Sequence, residues 1–475
     1  MEWMETIDQY ILTINDYLYT YLMIALLIGL GLFFSIKTNF VQFRLFKEMF
    51  RVILEKSTIS TSGKRGISSF QAFTISAASR IGTGNLAGVA TAIAAGGPGA
   101  VFWMWVIAFI GAASSFVEST LAQIYKVKDN DNFRGGPAYY MERGLNKRWM
   151  GIIFAITITF CFGLVFNAVQ SNTISIAMNE GFNVSKPLMG LVLAVLTAFI
   201  IFGGLKRIAQ VTQVLVPVMA IIYLIVAGIV LLMNLTEIPA MFMLIVKSAF
   251  GMEEALGGTL GAAVLNGVKR GLFSNEAGMG SAPNAAATAS VSHPVKQGLI
   301  QTLGVFVDTI LVCSATAFII LLSGEYLRED ASSINLTQSA LSVHIGDWAT
   351  IFLAVAIFLF AFSSVIGNYY YGETNIEFIK ESSVALFIYR LAVIAMVYFG
   401  SVAKISLVWD LADLFMAIMA FINLIAIAML YKIAMAALRD YRQQRKAGKD
   451  PVFYADSIEG IGDTDCWERK PETEK

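Results

Sequence analysis

Two short stretches carry residues able to do chemistry in otherwise apolar surroundings. The first, FTISAASRIGTGNLAGVATAIAA (73–95), holds Arg80 and then Gly82, Thr83, Gly84 and Asn85 in a row. The second, VKRGLFSNEAGMGSAPNAAATA (268–289), is rich in Gly, Ser, Asn and Pro at its middle and contains Glu276. Gly and Asn are poor helix formers, and a charge in hydrocarbon is expensive. Each stretch therefore reads as a helix broken inside a membrane. An unwound helix end offers free N–H groups to a carboxylate, and free carbonyls to Na⁺ or an ammonium group. Small residues also serve close helix packing. GVATAIAAGG (88–97) alone fits that role, but two matching breaks fit it poorly.

The elements that must position these breaks are membrane helices. Of the 475 residues, 57% are hydrophobic and 14% charged, against roughly 25% charged in soluble chains. The mean hydropathy is +0.67. Eleven apolar runs of spanning length are expected, at 16–36, 68–96, 99–124, 150–178, 187–204, 208–234, 256–287, 297–322, 348–370, 383–402 and 406–432. The chain is thus an all-α polytopic membrane protein, with a membrane domain over 1–434 and a polar tail over 435–475. After the extra helix 16–36, the rest divides into five-helix blocks at 68–234 and 256–432, and each begins with a broken helix. An odd number of spans per block inserts the second block upside down, giving a five-plus-five inverted repeat with the substrate site at the breaks.

Short-loop cations mark the cytoplasmic side. Residues 37–66 carry Lys37, Arg44, Lys47, Arg51, Lys56, Lys64 and Arg65 against Glu48 and Glu55. The 125–149 loop has six cations, Lys206 and Arg207 occupy the next inner turn, and 432–449 has six more. Alternate loops are acidic, with Glu237, Glu253 and Glu254 in one, and Glu325, Glu329, Asp330 and Asp347 against Arg328 in another. The 371–382 stretch dissents, with Glu373, Glu377 and Glu381 against Lys380. The majority places the N-terminus outside and the C-terminus in the cytoplasm of a cell-membrane protein. The first sixteen residues hold four acids and no Lys or Arg, so no cleavable signal peptide is expected.

Other classes find little support. Cys161, Cys313 and Cys466 lack metal or redox spacing, and His293 and His344 have no catalytic partner nearby in sequence. There is no phosphate-binding G-x-x-x-x-G-K-[ST] run. The zero net charge gives no hint of nucleic acid. A membrane-embedded enzyme is disfavoured on these grounds. A channel is disfavoured because both breaks lie within one chain.

Four segments are familiar: RIGTGNLAGVA (80–90), GGPGAVFWMWVIAFIG (96–111), GGPAYYMERGL (135–145) and RGLFSNEAGMGSAPNAAA (270–287). In this order they resemble the alanine/glycine:cation symporter (sodium:alanine symporter) family of the amino acid–polyamine–cation superfamily. The resemblance implies Na⁺-coupled uptake of small neutral amino acids, alanine and possibly glycine, with no cofactor beyond the coupling ion. It implies that backbone around Gly82, Thr83, Gly84 and Asn85 faces the substrate carboxylate. It places Phe273, Ser274, Asn275, Gly278 and Met279 on the opposite wall, with Gln170 of NAVQSN (167–172) also lining the pocket. For the ion, transporters of this fold suggest the carbonyls of Ala78 and Ile81 with the hydroxyls of Ser363 and Ser364. Where the family pattern commonly has Trp, this chain has Asn368, which widens the pocket and makes glutamine an alternative substrate. Proton coupling through Glu276 or Asp308 is the alternative to Na⁺. Arg80 is expected to form a structural charge pair with Glu276 or Glu118, in preference to binding the substrate carboxylate.

Overall fold

In the computed structural model, residues 2–55, 66–129, 131–252, 259–328 and 333–470 are described. Lys56, Lys64, Arg65, Glu253, Glu254, Glu329 and Asp330, which entered the charge count, lie outside them, as does the start of the 256–287 span. All eleven expected runs contain helix where described, and those at 68–96 and 256–287 are interrupted. Among the described residues, eight helices are long and apolar enough to cross a membrane, from Gln9–Lys37 near the N-terminus to Val408–Lys446. Gly99–Ile124 and Ser383–Val402 coincide with the expected spans. Gly84–Gly96 and Lys186–Ile201 are apolar but shorter. Exposed Ile221, Ile225, Ile229 and Leu232 line one face of Gly204–Met233, and Phe387, Ile388 and Leu391 do so on Ser383–Val402. Such apolar faces require a hydrocarbon surround. The chain is a multi-pass helical membrane protein.

Both breaks are real. One helix starts at a capping box, where Ser68 Oγ accepts from Gln71 N–H and Gln71 Oε1 accepts from Ser68 N–H. It runs over Ser69–Arg80, leaves helical geometry at Ile81 (φ −80°, ψ 84°) and resumes at Gly84. The other runs over Leu260–Asn275, and a short helix follows at Ala282–Ala287. Between them Glu276, Gly278 and Gly280 take positive φ of 56°, 81° and 85°. Glycine occupies two of the three positions for that reason. Gly99–Ile124 packs against Leu260–Asn275 and Pro294–Val305, while Trp348–Ile379 packs against Ser69–Arg80 and Asn167–Phe182.

Several elements were not expected from the sequence. Phe46–Ile53, Pro137–Arg143, Ile238–Ala249 and Ser333–Ile345 are helical, and Val127–Asp129 pairs with Asn132–Arg134 as a small hairpin. They are too short to register in a search for spanning runs. The helix expected to end at 432 continues to Lys446. The segment after it is not a free polar tail. Tyr125 donates to the Ile461 carbonyl at 2.8 Å, Trp467 Nε1 to the Gln123 carbonyl at 3.0 Å, and Phe453 N–H to the Ser292 carbonyl at 2.9 Å. The dissenting acids of 371–382 are neutralised within the fold. Glu373 pairs with Arg390 at 3.0 Å, and Arg134 pairs with Glu377 at 3.0 Å and Glu381 at 2.9 Å.

Candidate functional site

The two breaks face each other at very short range. A Cβ placed on Gly84 would lie 3.1 Å from both the Phe273 ring and the Ser274 Cα, so glycine permits this approach. Asp308, from the helix region Phe306–Cys313, ties both breaks together. Its carboxylate accepts from Asn85 Nδ2 at 2.6 Å, and from Ser274 Oγ and Thr309 Oγ1 at 2.8 Å each. Asn85 also closes its own break, its Oδ1 accepting from Gly82 N–H at 2.9 Å. Gln170 reaches the same break from Asn167–Phe182, and its Oε1 accepts from Thr83 N–H at 3.0 Å and Thr83 Oγ1 at 2.5 Å. Neighbouring Asn167 bonds back to the Gly163 carbonyl at 2.9 Å. The expected substrate-facing residues of the first break therefore sit together, but much of their polarity is already paired.

The second break is held by a residue that was expected only as a partner for Arg80. Glu118 accepts from Gly278 N–H and Gly280 N–H at 3.1 Å each, and from Asn423 Nδ2 at 2.7 Å. Asn423 also donates to the Gly278 carbonyl at 2.9 Å. Both backbone groups of Gly278 are thus engaged by the scaffold, whereas Phe273 joins an aromatic wall. Its ring centroid lies 4.6 Å from that of Phe166 and 4.8 Å from that of Trp409. Arg270 stacks on Trp409 at 4.6 Å and forms a buried ion pair with Asp413. Asn275 Oδ1 accepts from Ala277 N–H at 3.0 Å, its Nδ2 has no partner, and Met279 is fully buried. Phe166, Trp409, Glu118 and Asn423 were not legible as wall or support. The only signal, a polar or aromatic residue in an apolar helix, is common to many buried positions.

The expected cation ligands are only partly assembled. Gly82 N–H bonds the Asn85 side chain, and the Ala78 carbonyl accepts Ser364 Oγ at 2.8 Å. Ser363 differs from expectation, for its hydroxyl donates to the Phe360 carbonyl at 2.8 Å and faces Met219 Sδ at 3.7 Å. A serine in a helix readily bonds back to its own turn. Ala78 and Ser364 remain as a carbonyl–hydroxyl pair of hard oxygen ligands, with Ile81 at the helix end beside them.

The direct ion pair expected at Arg80 is not formed. Arg80 donates to the Gln301 carbonyl at 3.2 Å and to Ser115 Oγ at 3.4 Å, and its Nε has no partner among the described residues. Glu276 is bound by hydroxyls instead, Ser281 Oγ at 2.5 Å and Ser79 Oγ at 2.7 Å. Gly304 packs closely against the guanidinium, for a Cβ there would lie 2.3 Å from Arg80 Nη1. Ser79 Oγ is also 2.7 Å from Asn368 Oδ1, while Asn368 Nδ2 has no partner among the described residues. Ser79 has one hydroxyl proton to give, so turning that amide over would let Asn368 Nδ2 donate to Ser79 Oγ while Ser79 donates to Glu276.

The sodium:alanine symporter family description matches residues 4–455. The amino-acid carrier protein AlsT of Bacillus subtilis (strain 168) is 61% identical over 96% of this chain and 96% of its own length. The probable sodium/glutamine symporter GlnT of the same organism is 57% identical over 95% of this chain and 94% of its own. The sodium/alanine symporter AgcS of Methanococcus maripaludis is 37% identical over 91% and 97%. The chain belongs to the sodium:alanine symporter family, whose members are membrane carriers of amino acids and not enzymes.

Proposed function

We propose that this chain is a Na⁺-coupled symporter that carries a small neutral amino acid, alanine foremost and glycine as a smaller fit, into the cell by alternating access. The observation that carries this is the meeting of two interrupted helices, Gly84 against Phe273 and Ser274, beside the Ala78–Ser364 oxygen pair. Helix ends of opposite polarity at one point suit a zwitterion together with a cation. On this reading residues 68–234 and 256–432 are the inverted repeats, 16–36 is an added helix, and the Lys- and Arg-rich ends face the cytoplasm. Na⁺ sits between the Ala78 and Ile81 carbonyls and Ser364, and it draws Ser364 Oγ away from its present acceptor. The substrate carboxylate lies against Gly82–Asn85, and its ammonium faces the carbonyls around Phe273–Asn275.

A second reading, glutamine as substrate, is favoured by Asn368. An unpaired buried amide atom is costly unless something binds it, and a glutamine side chain offers the matching donor and acceptor. The similarity to a protein named as a glutamine symporter points the same way. The deciding measurement is uptake of labelled alanine and glutamine by proteoliposomes under an imposed Na⁺ or H⁺ gradient. Saturable uptake that follows the Na⁺ gradient is expected. Uptake indifferent to both gradients would remove the symport assignment, and uptake driven by H⁺ alone would move the coupling ion to a carboxylate such as Asp308 or Glu276.

A further inference from the structure

The cations at one end of the bundle divide into two groups. Most are paired: Arg51 with Glu48 and Glu55, Arg445 with Glu48, Lys296 with Glu55 and Asp450, and Arg143 with Asp463 and Asp465. A second group surrounds a cleft of about 530 Å³ between the end of the N-terminal helix and the last helix, lined by Lys37, Lys432, Arg439 and Arg442 with no acid. None of these four forms an ion pair among the described residues, and Lys37 meets only the Phe33 ring at 5.6 Å. Arg44 stands beside the group, donating to the Thr38 carbonyl at 2.8 Å. Burial and the like charge of Arg442 lower it from the usual arginine range. Gathering like charges in a folded chain costs free energy unless a counter-charge is supplied from outside.

We infer that this cleft is a binding site for a phosphate group, presented on an anionic phospholipid headgroup. The lining supports the lipid as its source. Tyr431, Met435 and Leu438 give the cleft an apolar floor. Ile36, Phe40 and Phe43, at the same end of the N-terminal helix, are 61%, 48% and 52% exposed. A headgroup phosphate among the cations, with its acyl chains along the apolar flank, satisfies both surfaces. The four cations come from the two helices outside the transport bundle's breaks, so the bound lipid fastens the N-terminal helix to the last one.

The test uses the full-length chain in neutral detergent, with lipid retention counted by native mass spectrometry. Phosphatidylglycerol is compared with phosphatidylcholine of the same acyl chains, and with inorganic phosphate as competitor. Near a membrane surface each Lys or Arg is worth about 1 kcal/mol, so Arg439→Gln/Arg442→Gln should weaken phosphatidylglycerol retention roughly thirtyfold. Arg439→Lys/Arg442→Lys should retain it, and Lys186→Gln, remote from the cleft, should leave it unchanged. Equal retention by the wild type and the Gln pair, at matched melting temperature, would overturn the site. Inorganic phosphate displacing the lipid at millimolar concentration would overturn the lipid as occupant and leave a free anion. If the Gln pair does not fold, a Lys432→Gln chain that binds phosphatidylglycerol like wild type decides against the proposal.

Discussion

The substitution Gly82→Ala tests the cation site most directly. A Cβ at this position would sit 2.1 Å from Ser364 Oγ, 3.1 Å from Ser364 Cβ and 3.0 Å from Gln170 Oε1. The first distance is far inside van der Waals contact, and the Ser364 hydroxyl is the atom free to move. Turning it away breaks its 2.8 Å bond to the Ala78 carbonyl and removes it from the proposed cation position. One such contact is worth about 1 kcal/mol, more when a charge is involved, so the half-saturating Na⁺ concentration should rise about five- to tenfold. Because Gly82 itself lies against the proposed substrate carboxylate, the control is Ser364→Ala, in which the half-saturating amino acid concentration at saturating Na⁺ should change by less than about twofold. Ser364→Ala removes the same hydroxyl and should reproduce the effect. The double variant should then be no worse than either single one, because both act through one atom. The assay is initial uptake rate in proteoliposomes across a Na⁺ series. Multiplying effects in the double variant, or an unaltered Na⁺ dependence in Gly82→Ala, would refute the reasoning.

Three further outcomes follow from other contacts. Glu118→Gln leaves one acceptor oxygen for three donors and turns an NH₂ group toward a backbone N–H, so a loss of about 2–3 kcal/mol and of most uptake is expected; unchanged melting and uptake would show that the break is held by other groups. Asn368→Trp should shift preference from glutamine toward alanine by filling the space beside Ser79 and Glu276, and an unchanged ratio of uptake rates would take Asn368 out of the specificity argument. His293 is held neutral by burial, its Nδ1 accepting from Val295 N–H at 3.2 Å and its Nε2 meeting Asp440 at 3.1 Å, so its pKa lies below the ordinary histidine value. The unfolded chain then binds more protons as pH falls through about 6.5, and the melting temperature should drop from there until the lower folded value is passed. His293→Asn, which keeps a cap acceptor, should flatten that slope; an identical slope would assign it to other groups.

What was legible in the sequence depended on how local its cause was. A run of apolar residues dictates a helix by itself, so 99–124 and 383–402 matched their helices end to end. The breaks were legible because Gly and Asn act on their own backbone, and Asn85 closes on Gly82 three residues away. Glu118 was misread because its donors are distant in sequence. Asn423 stands 305 residues away, and nothing near position 118 announces it. Ser363 and Ser364 are adjacent and chemically alike, yet a helix turns neighbours by about 100°, so one faces the break and the other Met219. The acids of 371–382 meet Arg134 and Arg390, pairings that no local pattern announced.

The missing ion pair at Arg80 bears on why a cation would enter at all. Arg80, Glu118, Glu276 and Asp308 are all buried, and each carboxylate feels the arginine's field although, among the described residues, none forms an ion pair with it. A guanidinium clamped to one acid would cancel that charge and leave two carboxylates unrelieved. Held by the Gln301 carbonyl and Ser115, it acts on all three at once and satisfies none. With the acids ionised, one cation against three carboxylates leaves the centre negative. In a medium of low dielectric such a deficit is a strong attraction for a small cation or a proton. The acids nearest the breaks are tied to the broken helices, Glu276 through Ser79 and Ser281, and Asp308 through Asn85 and Ser274. On the proposed symport reading, a positive charge supplied here would act on the same contacts that hold the two broken helices together.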